Sequence, residues 1–147
     1  MRDLKILSAV LLAAFISGCA TTTFLPYEGT GASVQGSGGT KMVVEGMEVW
    51  SNGEPPRKFN VIGVIEDQRP GGPLPMASLT KDVVAKARES GGDAIIKISN
   101  QSQVTGYVTN GSATVRGSSN YARAYGSATT IPVSRNYSKF VVIKYTE

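Results

Sequence analysis

The sequence predicts an α+β fold: a single small domain with a mixed β-sheet, one covering helix and a C-terminal β-hairpin region, on a flexible N-terminal tether. Residues 59–65 form an almost unbroken apolar run rich in β-branched residues, which is typical of a central strand. Residues 76–90 have helical periodicity, and residues 94–98 again have strand composition. A strand, a helix and a strand in this order predict a sheet covered by a helix on one face.

The helix is predicted over residues 76–90 because its apolar residues recur at helical spacing. Ser78 can cap its first turn, and Gly91-Gly92 can supply a left-handed stop at its end. The apolar stripe that should face the sheet consists of Met76, Leu79, Val83 and Ala87.

Other stretches complete the domain, which we place at residues 41–147. Residues 42–50 have the composition of a strand and end at a turn that contains Asn52-Gly53 and Pro55-Pro56. Residues 66–75 contain three prolines and predict a loop. Residues 140–145 predict the last strand. Residues 19–40, which precede the domain, are rich in glycine, serine and threonine and predict the flexible tether.

A short repeat in the C-terminal half predicts the hairpin. The sequence Gly-Ser-Ala-Thr occurs at residues 111–114 and again at residues 126–129. With residues 117–120 as a four-residue loop, Arg116 faces Tyr121 and Thr114 faces Arg123. Alternation then places Val115 and the alanines on a face that packs on the core, and the other face carries Arg116, Tyr121, Arg123 and Tyr125. The alternative is a disordered loop.

The first residues have the organisation of a signal peptide. Arg2 and Lys5 make a basic start, residues 6–16 are apolar apart from one serine, and small residues follow. The apolar run is too short to span a membrane. We therefore predict a signal peptide over residues 1–18, which ends directly before Cys19.

The end of this segment, Ile16-Ser17-Gly18-Cys19, resembles the lipobox of bacterial lipoproteins. The resemblance implies cleavage before Cys19, a diacylglyceryl group on its sulfur and a fatty acyl group on its new amine. Two or three acyl chains make a lasting membrane anchor. Ala20 follows this cysteine, and alanine in that position resembles the pattern of lipoproteins that are exported to the outer membrane. The alternative is an ordinary signal peptide with an unmodified cysteine.

The inventory of reactive side chains is small. The chain has no histidine, and Cys19 is its only cysteine. A zinc or copper site built from histidine and cysteine is therefore excluded, as are Ser-His-Asp and Cys-His catalytic groups. We expect no metal, no cofactor and no enzymatic activity. Glu66 and Asp67 follow a predicted strand and could serve a carboxylate hydrolase, but we interpret them as solvated residues at the start of a loop.

Charge is distributed unevenly along the chain. From Ala94 to Thr146 there is no acidic residue, and the basic residues there are Lys97, Arg116, Arg123, Arg135, Lys139 and Lys144. One interpretation is contact with lipid phosphates, cell-wall carboxylates or an acidic protein face, and the other is a basic face that is simply solvated. The candidate binding residues are Arg116, Tyr121, Arg123 and Tyr125. Nucleic acid is not an expected partner, because a lipoprotein with a signal peptide would not meet it.

The middle of the chain resembles a known module. Residues 59–67, Phe-Asn-Val-Ile-Gly-Val-Ile-Glu-Asp, and residues 79–98, which contain Gly-Gly-Asp-Ala before the strand, resemble the YbjQ-type domain family and the stress-sensing outer-membrane lipoproteins of the Rcs pathway. The resemblance implies a signalling or binding module without catalysis. The chain departs from the Rcs-type sensors because its single cysteine allows no internal disulfide.

Together these observations predict a lipid-anchored bacterial outer-membrane lipoprotein whose domain lies in the periplasm or at the cell surface. We expect it to act as an envelope interaction or stress-sensing module, with an envelope protein or an anionic envelope component as partner. The alternative is a structural protein that binds peptidoglycan or anionic lipid head groups through a basic sheet face.

Overall fold

The structure, a computed structural model, describes residues 20–29, 31–118 and 121–146, without the side chains of residues 118 and 121–123. Seven strands form one mixed sheet in this part of the chain, and one helix packs on it, which confirms the predicted α+β class. The predicted signal peptide and Cys19 lie outside the described residues.

The strands run in the order β1-β5-β7-β6-β4-β3, and the short β2 pairs with β5. All neighbouring strands are antiparallel except β4 and β6, which are parallel. The elements are β1 (Thr21–Pro26), β2 (Val34–Gln35), β3 (Gly38–Val44), β4 (Met47–Glu54), β5 (Lys58–Pro70), α1 (Pro73–Glu89), β6 (Ala94–Ser118) and β7 (Tyr121–Tyr145).

Helix α1 covers one face of the sheet, and the larger part of the core lies between the helix and that face. The predicted stripe is confirmed, since Leu79, Val83 and Ala87 are buried and Met76 packs against them. Burying a valine or leucine side chain fully contributes about 1.5–3 kcal/mol. The helix-side core also contains Met47, Val49, Ile65, Val84, Ile95, Phe140 and Val142.

The start of α1 differs from the prediction, and its end confirms it. The helix begins at Pro73, and Ser78 does not cap it. Prolines fit in the first turn because the first N–H groups of a helix have no partner within it. At the other end Gly91 has φ 82°, and the N–H of Gly92 donates to the carbonyl of Ala87.

The predicted loop over residues 66–75 is wrong in its first half, because β5 continues to Pro70. The predicted single strand over residues 42–50 is also wrong, since β3 and β4 form a hairpin there. Glu45 and Gly46 have φ of 50° and 84°, which is the left-handed pair of a two-residue turn. Glycine carries this conformation at little cost, and it allows the chain to reverse within two residues.

The N-terminal segment is not the predicted flexible tether where the structure describes it. β1 pairs with β5 from Thr21 opposite Gln68 to Pro26 opposite Gly63, and residues 34–35 and 38–44 are also strands. Phe24 packs against the helix-side core. Composition suggested flexibility, but β-branched and aromatic residues in 21–25 favour a strand once a neighbouring edge is available.

The predicted strands at residues 94–98 and 140–145 are confirmed, and both belong to strands of 25 residues each. The inner ends of β6 and β7 lie in the middle of the sheet. Their outer parts, residues 106–118 and 121–133, pair with each other without interruption and form a two-stranded arm. We call this arm the ribbon. At about 3.4 Å per residue its length is about 40 Å.

Candidate interaction surface

Both faces of the ribbon are exposed to solvent. Six large apolar or aromatic side chains on it are at least two-fifths exposed: Tyr107 (71%), Val108 (49%), Val115 (68%), Tyr125 (59%), Ile131 (54%) and Val133 (42%). Singly exposed apolar residues are ordinary, but several of them on one projecting element are typical of a contact surface.

The register of the ribbon differs from the predicted one by two residues. Ser118 lies opposite Tyr121, where the prediction had placed Arg116, so Gly117 and Ser118 belong to β6 and not to the predicted loop over residues 117–120. The predicted division between the two faces is nevertheless confirmed, because a shift of two residues leaves every side chain on its side.

The expectation that the alanine face packs on the core is wrong. Val115 is 68% exposed, and the alanines that share its face from residue 124 onwards are exposed as well. Among the described residues no helix reaches this part of the sheet, because α1 packs over the inner parts of β5, β6 and β7. Alternation in the sequence identified the two faces correctly but could not show that neither of them is covered.

Arg116 lies directly opposite Arg123 in this register, near the tip of the ribbon. Tyr125 lies two residues further along β7, opposite Thr114, and is exposed. Like charges directly across a strand pair are destabilising. An anion at this position would relieve that repulsion. The side chains of Tyr121 and Arg123 lie outside the description, so their placement rests on the register alone.

Two other basic residues of the C-terminal half pair with acidic residues from earlier parts of the chain. Lys139 pairs with Glu66 at 2.7 Å, and Lys144 lies 3.9 Å from Asp93. The basic character that the sequence suggested for the whole half is therefore weakened over the inner sheet.

The ribbon and the start of β1 leave the sheet at the same end. Thr21 lies opposite Gln68, Gln68 lies opposite Tyr137, and the pairing of β5 with β7 ends at Arg135, where the outer parts of β6 and β7 continue alone. β1 enters the sheet from that end, so Ala20 lies on the side towards which the ribbon projects. Cys19 precedes Ala20 in the sequence.

A second polar cluster, centred on Glu48, was not predicted. Glu48 accepts hydrogen bonds from Lys41, from the hydroxyl of Tyr145 and, at 3.4 Å, from Arg57. The guanidinium of Arg57 lies 3.7 Å from the centre of the Tyr145 ring. Glu48 and Trp50 alternate with buried Val49 along β4, so strand periodicity could have placed them together on the helix-free face.

The electrostatics of this cluster favour an ionised Glu48. Partial burial raises the pKa of Glu48, but hydrogen bonds from Lys41 and Tyr145 and the charge of Lys41 outweigh it and lower the pKa to about 2. Burial, and then the hydrogen bond to Glu48, raise the pKa of Tyr145. The cluster therefore ties the end of β7 to the edge strands β3 and β4.

The interpretation of Asp67 as a solvated loop residue is wrong. Asp67 and Arg69 are both buried on the helix side of β5, and Arg69 binds both carboxylate oxygens of Asp67 at 2.6 Å. Arg69 also donates to Ser78 at 2.9 Å and to Asp82 at 3.1 Å. The hydrogen bond to Asp67 raises the pKa of Arg69. This network joins β5 to α1. Both carboxylate oxygens of Asp67 are occupied by Arg69.

A depression of about 520 Å³ lies on the helix-free face beside β1. Its floor contains Leu25, Val64 and Ile98, and its rim carries the Glu66–Lys139 ion pair. In the described part of the chain, no group of three or more acidic or cysteine side chains could hold a metal ion. Within the same residues, no helix is both long and apolar enough to span a membrane.

Comparison with known proteins leaves the chain without an assigned relative: no family model, no curated protein and no solved structure matches it. The similarity to YbjQ-type and Rcs-type modules stays a prediction.

Proposed function

We propose that this protein is a non-enzymatic, lipid-anchored lipoprotein of the bacterial outer membrane, and that its domain is an envelope interaction or stress-sensing module. The ribbon is its contact surface. The observation that carries this proposal is the exposure of large apolar side chains on a two-stranded arm that no other described element covers. A two-stranded ribbon alone is marginally stable in water, so contact with a partner would stabilise it.

The position of Ala20, directly after Cys19, supports the anchored arrangement. Lipid on Cys19 would lie one residue before Ala20, at the end of the sheet from which the ribbon projects. β1 begins at Thr21, which leaves almost no free chain between anchor and sheet. The domain would then lie close to the membrane surface, with the anchor and the base of the ribbon at the same end of the sheet, instead of floating on a long tether.

A second candidate function is a structural protein that binds peptidoglycan or anionic lipid head groups. Arg116 opposite Arg123 favours it, because two facing cations gain from an anion placed between them. Capture of a defined protein by crosslinking would favour the interaction module. Salt-sensitive capture of purified peptidoglycan or of anionic vesicles would favour the structural protein.

The test is retention of the chain truncated to begin at Ala20 on isolated envelopes, at low and moderate salt. Arg116→Ser with Arg123→Ser should lower retention about tenfold or more at low salt, because a basic residue near an anionic surface contributes about 1 kcal/mol. The salt dependence should become flatter in this variant. Lys81→Ser with Lys86→Ser removes the same charge from the helix and should retain the parent's binding. Equal retention of both variants at both salts would exclude the arginine pair as a contact.

A further inference from the structure

The outer edges of the ribbon are unpaired among the residues that the structure describes. β5 pairs with β7 only up to Arg135, and β4 pairs with β6 only from Ala94 to Ile96. Beyond these points each strand of the ribbon is bonded on one side only. A free strand edge presents a row of unpaired N–H and C=O groups, which is a template for another strand.

These edges lack most of the features that prevent strand pairing. No charged residue occurs between Lys97 and Arg116 or between Arg123 and Arg135. The bulges of β6 fall between Lys97 and Ser99 and between Val104 and Gly106, so the ribbon itself is regular. Charges, bulges and prolines are the usual protection of an edge. The ribbon has one proline, at its base, and is otherwise open.

That proline shows which backbone groups face outward. Pro132 lies opposite Tyr107 and has no N–H to donate, so this pair exchanges no hydrogen bonds within the ribbon. By alternation, the N–H of Thr109 points outward from β6 and that of Thr130 points outward from β7. The hydroxyls of these two threonines lie 2.9 Å apart, which fits the closer side-chain spacing of such pairs.

We propose that the ribbon pairs with a second copy of this chain, the free edge of β6 in one copy against the free edge of β7 in the next. The inference rests on the proposed function, because anchoring in one membrane makes the ribbons of all copies point the same way. β6 runs towards the tip and β7 runs back, so these two edges meet antiparallel and side by side. A second copy fits because the two edges carry no charge over residues 98–115 and 124–134 and therefore do not repel each other along that length.

The contact is head-to-tail, so it differs from a two-fold dimer. A head-to-tail contact leaves one free edge at each end of the assembly and closes only when the copies form a ring. In such an assembly the exposed face with Val115 and Ala124 becomes continuous from copy to copy, since pairing through the edges keeps each face on its own side. The arginine pairs then collect at the same level near the tips.

Mixed crosslinking of full-length chains in their own membrane tests this arrangement. One tagged copy carries Ser112→Cys on β6, and a second, differently tagged copy carries Ser127→Cys on β7. Tyr125→Cys and Thr129→Cys are alternatives that scan the offset between the strands. We expect a disulfide-linked species that contains both tags, strongest for one of the three β7 positions, and at least tenfold weaker linkage when either variant is expressed alone. The parent chain, with only Cys19, is the control for adventitious linkage.

An edge variant separates pairing from folding. Thr109→Pro removes an outward N–H without removing a bond of the ribbon, and it should lower the mixed adduct at least tenfold while the melting temperature stays within a few degrees. Thr109→Val keeps the N–H and should leave the adduct unchanged. Self-linkage of Ser112→Cys as strong as the mixed adduct would show two-fold pairing and overturn the proposal. Adducts only with a protein of another mass, or no adduct at all, would overturn it too.

Failure of the pairing between copies can be distinguished from failure of the proposed function. Loss of the mixed adduct with normal envelope retention would refute only the proposed pairing of copies. An unmodified Cys19 together with unchanged retention of the arginine variant would refute the proposed function, whatever the crosslinks show.

Discussion

Arg69 holds Asp67 through two hydrogen bonds of 2.6 Å inside the layer between β5 and α1, where both side chains are almost completely excluded from solvent. The pair is two residues apart on one strand, and the same guanidinium reaches the helix through Ser78 and Asp82. Thr22 donates to Asp67 at 2.6 Å, which connects β1 to the same network. One buried ion pair therefore fixes three elements relative to each other.

Asp67→Asn should lower the free energy of unfolding by about 3–5 kcal/mol, because it leaves the buried Arg69 without its main counter-charge. Urea unfolding of the chain that begins at Ala20 measures the change. Asp82→Asn is the matched control and should cost about 1 kcal/mol, since Asp82 is 43% exposed. Equal effects of the two substitutions would contradict the assignment of Asp67 as the principal partner.

Gly63→Ala tests the docking of β1 on β5. A methyl group at Gly63 would overlap the ring of Phe24, while one at Gly106 would meet no atom within 4 Å. We expect Gly63→Ala to cost about 1–3 kcal/mol and to speed proteolysis near residues 21–26, because overpacking displaces the edge strand. Gly106→Ala should change stability by less than about 0.5 kcal/mol. If Gly63→Ala resists proteolysis as well as the parent does, the docking of residues 21–26 on β5 would be contradicted.

Glu48 should contribute to stability in a defined pH window. Its pKa falls from an ordinary 4.5 to about 2 in the folded protein, so its contribution is fully present above pH 4.5 and is lost as the pH falls towards 2. We expect about 1–2 kcal/mol, since Lys41 and Arg57 are about half exposed and solvent screens them. Unfolding at pH 6 and at pH 3 measures it in the parent and in Glu48→Gln. A variant with the same pH slope as the parent would refute the role of Glu48.

Cys19 should carry the membrane anchor. Cys19→Ser should abolish lipidation and prevent normal processing of the N-terminus, because Cys19 is the only cysteine in the chain. Mass spectrometry of the mature N-terminus reads the result directly. An unmodified first peptide that begins at any residue other than Cys19 would exclude the lipoprotein assignment, and with it the argument that the ribbons share one direction.

The sequence predicts the helix-covered part of the fold well, because periodicity and burial agree there. Val83 and Ala87 repeat at helical spacing and are completely buried, and residues 59–65 form the strand beneath them. Composition was misleading in residues 21–26, where a chain resembling a linker becomes an edge strand. What decides that segment is the free edge of β5, which lies far away in the sequence.

The candidate surface could be predicted only in part. Alternation assigned Arg116 and Tyr125 to one face, and this holds in the structure. Nothing in the alternation of Val115 and its neighbouring alanines indicates whether a helix covers that face. The answer depends on where α1 packs, so the projection of the ribbon became visible only in three dimensions. The position of Arg116 opposite Arg123 depends on the register, which is shifted by two residues from the one that the sequence predicted.

The most direct test of the account removes the ribbon and keeps the rest of the sheet. Asn-Gly should replace residues 107–132, which joins Gly106 to Val133 through a two-residue turn. The chain that begins at Ala20 should then melt within a few degrees of the parent, because the residues removed contribute none of the buried core. Its retention on isolated envelopes should fall to the level of an unrelated soluble protein. Retention equal to that of the parent would contradict the central claim that the ribbon is the contact surface.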